Sequence, residues 1–214
     1  MHLYTYFRSS AAYRVRIALN LKGLGYTAVP VHLLRGGGEQ LSAEFARRNP
    51  ARLVPVLEDG EATVTQSLAI IEYLEERYPR PPLLPTGAAA RARVRALALT
   101  IACDIHPLNN LRVLRHLKSA AGLDDAARDE WMRHWIRLGF DALEALLAGS
   151  ARTGRFCDGD APTLADCCLV PQIANAGRVL LPLDAWPTLR RINETCLQLR
   201  AFTDAAPAAQ PDAE

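Results

Sequence analysis

An arginine and two serines, Arg8-Ser9-Ser10, separate an alternating segment, His2 to Phe7, from a run with helical periodicity, Ala11 to Leu19. The alternation predicts a short strand and the run a helix, with serine, a preferred N-cap, at the junction. A strand that delivers hydroxyls to a helix N-terminus sets donors beside exposed N–H groups and the positive end of a dipole. Such a place suits an anion, a thiolate included. An ordinary helix cap without chemistry explains the same residues.

Two further segments carry polar chemistry. In Asn49-Pro50-Ala51-Arg52-Leu53-Val54-Pro55-Val56-Leu57, Pro55 interrupts a strand pattern. It must lie at a strand start or edge, where its missing N–H does no harm. A cis Val54–Pro55 bond would present the main chain of Val54 outward for pairing with an extended peptide; a plain edge-strand proline is the equal alternative. In Thr65-Gln66-Ser67-Leu68-Ala69-Ile70-Ile71-Glu72, Ser67 is expected to cap another helix and offer its N-terminus to a carboxylate. Gln66 adds a donor and an acceptor.

The elements that position these residues form two halves. Four prolines between Tyr78 and Pro85 break any helix or central strand and mark a linker, placed at 81–86. Before it, strands are expected at His2–Phe7, Thr27–Leu33, Val54–Leu57 and Ala62–Val64, with helices at Ala11–Lys22, Leu41–Arg47 and Ser67–Tyr78. The order βαβαββα describes a small α/β domain over residues 1–80. Residues 87–204 read as all-helical, with one apolar stripe through Val94, Leu97, Ala98, Ile101, Ile105 and Leu108. A second runs through Trp131, Trp135, Leu138, Ala142 and Leu146. Pro107 should kink the first of these helices. Thr163-Leu164-Ala165-Asp166 is a capping box, assigned to folding. The Ala-, Pro- and Asp-rich tail, 205–214, is expected to fray.

Half of the 214 residues are hydrophobic and the net charge is +2, which gives no footing for nucleic acid or an anionic membrane. No run is long and apolar enough for a bilayer, and the N-terminus shows no signal-peptide pattern. The five cysteines, Cys103, Cys157, Cys167, Cys168 and Cys196, lack a C-x-x-C pair and read as reduced and mostly buried. A cytoplasmic protein without a metal site is expected.

Taken together, Arg8-Ser9-Ser10 with Tyr13-Arg14-Val15-Arg16-Ile17-Ala18-Leu19, Asn49-Pro50 with Val54-Pro55, and Gln66-Ser67 with Ala69-Ile70-Ile71-Glu72-Tyr73-Leu74 resemble the glutathione transferase family. Pro107-Leu108, Asn110-Leu111, Val113-Leu114 and Ala174-Asn175-Ala176 with Arg178 are similar to its zeta class, so the resemblance spans nearly the whole chain. Zeta sequences commonly carry Ser-Ser-Cys where this chain has Ser9-Ser10-Ala11. That departure lowers the case for a mixed disulfide at this position and leaves chemistry by the glutathione thiol untouched.

The resemblance implies a thioredoxin-like α/β N-terminal domain, an all-α C-terminal domain, a homodimer and an active site at the cleft between domains. It implies glutathione-dependent cis–trans isomerisation of a maleyl keto acid. Ser9 is the expected thiolate donor, with Ser10 and the helix N-terminus adding to the field. Gln66 and Ser67 are expected at the γ-glutamyl end of glutathione, Val54 at the cysteinyl backbone, Gln40 at the glycyl carboxylate and His106 at a further contact. Arg8 and Arg178, with Arg112 beside them, are the expected partners of a dicarboxylate substrate, because guanidinium forks match carboxylates two bonds at a time. Two alternatives share the fold: a general transferase that conjugates apolar electrophiles, and a non-catalytic interaction protein.

Overall fold

The computed structural model describes residues 1–214, which divide into two compact units. The first holds Met1–Leu83 together with Gln198–Glu214, and the second Leu84–Leu197.

In the first unit, β1 (His2–Thr5), α1 (Ser10–Leu21), β2 (Thr27–Pro30), α2 (Ala43–Arg48), β3 (Val56–Asp59), β4 (Ala62–Thr65) and α3 (Ser67–Arg77) follow the expected order. Single 3-10 turns at Arg35–Gly37 and Glu39–Leu41 lie before α2. The sheet order is β2-β1-β3-β4, with β1 parallel to β2 and antiparallel to β3. Leu3 and its cross-strand partner Leu57 are fully buried, as are Ile17 and Leu19 of α1 and Ile70 and Leu74 of α3. One step along the strands, Tyr4 and Val56 turn to the other face and pack in a cluster with Tyr6, Phe7, Val31, Phe45 and Val54. This alternation is the two-residue period of a pleated strand.

Strand limits depart from the sequence reading for local reasons. β1 stops at Thr5 because the chain turns, with the Ser9 N–H donating to the Tyr6 carbonyl at 2.9 Å. β3 starts at Val56, since Pro55 has no N–H to give the ladder; the Val54–Pro55 bond is cis. The linker is pinned: the buried Lys22 ammonium reaches Glu75 at 2.7 Å and the carbonyls of Tyr78 and Pro81 at 2.9 and 3.0 Å.

The expectation that 205–214 frays is wrong, and 87–204 is not the extent of the helical unit. From Gln198 onward the chain belongs to the first unit. It forms a short helix, α9 (Arg200–Thr203), and a 3-10 turn at Pro207–Ala209. Phe202 and Ala205 are fully buried, and the Gln210 amide donates to the carbonyls of Asp204 and Ala206 at 2.9 and 3.0 Å. Composition misled here because anchoring by two buried residues and one amide is invisible to an average over ten.

The second unit is helical, with α4 (Ala88–Leu99), α5 (Leu111–Ala121), α6 (Asp125–Ala148), α7 (Leu164–Arg178) and α8 (Pro187–Cys196). Past α4 the chain passes into a π-helical turn, Thr100–Ile105, and a 3-10 turn, His106–Asn109, in place of a simple kink at Pro107. Val94, Leu97, Ala98, Ile101 and Ile105 are buried as expected. In α6 the buried stripe is Met132, Ile136, Phe140, Leu143 and Leu147, one or two positions beyond the predicted one; Leu138 and Leu146 are exposed. Two adjacent apolar stripes run along this helix, and periodicity alone does not rank them. The capping box is present: the fully buried Asp166 accepts from the Thr163 N–H at 2.7 Å and the Cys157 N–H at 2.9 Å.

Candidate functional site

Ser9 is the N-cap of α1, with extended backbone (φ −72°, ψ 113°) and its Oγ accepting the Ala12 N–H at 3.2 Å. The capping reading holds, and it leaves the hydroxyl's donor capacity unused by the cap. A lone pair of the hydroxyl serves the helix, while its proton stays free to donate to an outside anion. No acidic residue stands in the first turn of α1 to offset the dipole. Ser10 is the first helical residue; both serines are half-buried and Arg8 is exposed.

Strand register gathers the other segments at the same end of the sheet. Thr5 pairs with Pro30, Tyr4 with Val56, and Val56 with Thr65. The chain therefore leaves β1 toward Ser9, leaves β2 toward His32, enters β3 from Val54 and leaves β4 into Gln66, all at one end of the strands; the Glu39 N–H, beside Gln40, donates to the His32 carbonyl at 2.8 Å. The ladder begins only at Val56, so the main chain of buried Val54 lies outside it. Gln40 is buried and its Oε1 has no hydrogen-bond partner.

The expected cap at Ser67 is corrected. Gln66 holds the N-cap position of α3 with φ +70°, a region that favours glycine, and makes no side-chain cap bond. Its exposed side chain and the first-turn amides of α3 are thus left for an outside acceptor. Backbone held this way by a residue other than glycine clusters at ligand sites. Ser67 is the first helical residue, buried, and accepts from Arg14 Nη1 at 3.3 Å.

Arg14 and Arg16 were not singled out from the sequence, although a charge inside the apolar run Tyr13–Leu19 was the available signal. Both are buried on α1, and Arg16 is 0 % exposed. Arg16 Nη1 donates to Thr5 Oγ1 at 2.9 Å and the Tyr6 carbonyl at 3.3 Å, and Nη2 to the Phe7 carbonyl at 3.0 Å. Burial lowers its pKa to about 10, against the opposing charges of Tyr26, Asp212 and Tyr13.

Three expected residues lie on the second unit. His106 opens the 3-10 turn and is half-buried. That turn is held by Trp131, whose Nε1 donates to the Leu108 carbonyl at 2.8 Å, and by Asn109, whose amide donates to the Ile105 carbonyl at 3.2 Å. Gly139 on α6 makes room for Ile105, the last residue of the preceding π-helical turn, since a Cβ there would fall inside its side chain. Arg112 is exposed near the start of α5, behind the N-cap Asn110, whose Oδ1 accepts its N–H at 3.1 Å. Arg178 closes α7, exposed, with Nη1 donating to Asn175 Oδ1 at 3.2 Å.

All five cysteines are free and only Cys103 is exposed. Burial pushes the thiols of Cys157, Cys167 and Cys196 up, which keeps them protonated and inert. No group of three or more His, Cys, Asp or Glu side chains is placed to hold a metal ion.

Known families and structures agree with this geometry. Residues 3–82 match the N-terminal domain of glutathione S-transferases, and residues 125–207 match the C-terminal domain. A probable maleylacetoacetate isomerase of Vibrio cholerae is 54% identical over 211 residues, covering 99% of this chain and 97% of that protein. A holo structure of a bacterial zeta-class maleylpyruvate isomerase superposes with a TM-score of 0.97 at 51% identity, each chain covered in full. The Methylobacterium extorquens AM1 maleylacetoacetate isomerase, solved with malonate and glutathione bound, gives 0.96 at 44% identity, again over both whole chains. The chain belongs to the glutathione transferase family, and within it to the zeta class.

Proposed function

We propose that this chain is a glutathione-dependent cis–trans isomerase that converts a maleyl keto acid, maleylpyruvate or maleylacetoacetate, to its fumaryl form. The observation that carries the reading is the register that brings Ser9, Val54 and Gln66 to one end of a single sheet. Glutathione fits the groups present. The main chain of Val54 outside the ladder can pair with a peptide backbone, the uncapped first turn of α3 can receive a carboxylate, and Gln40, whose Oε1 has no partner and can accept a peptide N–H, carries an amide donor beside it. When bound, it supplies a thiol capable of reversible addition to the activated double bond, which frees rotation there.

The chain's own residues do the rest. Gln66 and Ser67 hold the γ-glutamyl end, Val54 the cysteinyl backbone and Gln40 the glycyl carboxylate, with His106 a further contact. Ser9 donates its hydroxyl proton to the sulfur, and Ser10 with the amides of α1 lowers the potential there. Arg8, Arg112 and Arg178 receive the carboxylates of the substrate.

The decisive experiment varies keto acid and glutathione in turn for Arg8→Lys and Arg178→Lys. Lysine keeps the charge and loses the planar fork. Each variant is expected to raise KM for the keto acid roughly tenfold, the loss of one charge-assisted bond of about 1.5 kcal/mol, with glutathione affinity nearly intact. Wild-type kinetics in both, or equal turnover of a neutral ester, would overturn the arginine partners and favour a general transferase.

A homodimer is proposed from the family resemblance, to be read by light scattering. No helix is long and apolar enough to cross a membrane. A cytoplasmic location is proposed because five free cysteines fit a reducing compartment.

A further inference from the structure

The turn that presents Ser9 is held from a distance. The Tyr6–Phe7 peptide group is clamped on both edges: its N–H donates to Asp212 Oδ2 at 3.0 Å and its carbonyl accepts from Arg16 Nη1 at 3.3 Å, while Arg16 Nη2 reaches the next carbonyl, that of Phe7, at 3.0 Å. Arg16 also donates from Nε to the Ala205 carbonyl at 2.9 Å, so one buried guanidinium joins the end of β1 to the C-terminal segment. Helix α1 is hooked to that segment twice more. Tyr13 Oη donates to the Phe202 carbonyl at 3.0 Å, and the Asn20 amide to the Ala201 carbonyl at 3.1 Å. Phe7 precedes Arg8 and Ser9 directly, and the Tyr6 carbonyl that receives the Ser9 N–H also receives Arg16.

We propose that residues 205–214 form an arm that positions the catalytic turn, and that Asp212 is its acting residue. The inference rests on the reading of Ser9 as the thiol's donor. An oxygen that must meet a developing thiolate is useful only if its backbone is fixed before reaction, because preorganised donors need no rearrangement as charge forms. Asp212 fixes the one peptide edge that Arg16 does not reach. Removing the acceptor leaves the Phe7 N–H without its partner and lets the peptide plane rock, and with it the Arg8–Ser9 backbone. Glutathione affinity depends on Gln66, Ser67 and Val54, beyond this turn, and is expected to persist. Asp212 is thus a positioning residue, and its effect belongs in kcat and in the thiol's pKa.

The test uses the full chain, saturated with glutathione, in four forms: wild type, Asp212→Ala, Asp212→Asn and Ser9→Ala. The thiolate's ultraviolet absorbance is titrated against pH, and kcat and both KM values are measured well below the melting temperature. Asp212→Ala is expected to raise the titration midpoint and lower kcat about tenfold, the scale of a small misplacement of a catalytic group, with both KM values little changed. Asp212→Asn, whose amide oxygen still accepts, should restore wild-type behaviour. A lower melting temperature with unchanged midpoint and kcat in Asp212→Ala would overturn the proposal and leave the arm purely structural. Asn as impaired as Ala would overturn the acceptor role. If Ser9→Ala itself leaves the midpoint unmoved, the reading of Ser9 falls and takes this proposal with it. A shift in Ser9→Ala without one in Asp212→Ala overturns the arm alone.

Discussion

At the scale of single residues, Ser9 and Ser10 are neighbours in different backbone settings. Ser9 is extended, caps α1 and keeps a hydroxyl proton to give; Ser10 has entered the helix. Ser9→Ala is therefore expected to lose about 10²–10³ in kcat, the usual effect of removing one preorganised donor from a developing anion. Ser10→Ala should stay within a few-fold of wild type, and both should bind glutathione by calorimetry. Equal, near-normal rates would leave the helix N-terminus as the sole activator. Ser9 was legible in the sequence because capping is local: serine before an apolar period is a chemical statement about three or four residues. Arg16 and Asp212 were not. The carboxylate that Phe7 meets lies 205 residues away in the chain, and Ser67 meets an arginine 53 residues earlier. Pairings of that kind are decided by topology, which no local pattern contains.

At the scale of elements, what could be read was what repeats. The order of strands and helices before the linker followed from periods of two and 3.6, as did the stripe through α4, and the capping box of α7 from its local motif. The predicted stripe of α6 lies one or two positions off the buried one because Trp131 and Trp135 are large and half-buried, meeting edge to face at 5.7 Å. Gly139 belongs to this level too. It has no Cβ where Ile105 enters, and so admits the π-helical turn that carries the chain to His106. Gly139→Ala is expected to destabilise by about 1–3 kcal/mol through overpacking. The same change on an Ile105→Ala background should cost far less, because the clash is gone and the cavity is partly filled. Chemical denaturation of the four-member cycle checks this; additive effects would refute the contact.

At the scale of the whole molecule, the chain closes on itself: its last residues complete the unit that its first residues begin. The closure ends in an exposed clasp. Glu214 Oε1 lies 2.7 Å from Arg35 Nη2 and 3.3 Å from His32 Nε2. Hydrogen bonding to His32, with help from Arg35, holds the Glu214 carboxyl below its ordinary range. A carboxyl whose folded pKa is depressed binds its proton more readily when unfolded, so the clasp contributes fully above the ordinary carboxylate range. Its contribution fades as pH falls through that range and is gone below the depressed value. Because the pair is exposed and screened, the effect is small and sensitive to salt. It belongs to local opening of the arm more than to global unfolding. Hydrogen exchange is the measurement, comparing amides of residues 205–214 with those of β1 and β3 from neutral pH down to the lower edge of the carboxylate range. Wild-type arm amides should lose a few-fold of protection relative to the strands on acidification. Glu214→Gln should begin at that lower level and show no further relative loss. Identical pH profiles in the two proteins would mean that Asp212, Gln210 and the buried Ala205 hold the arm without the clasp.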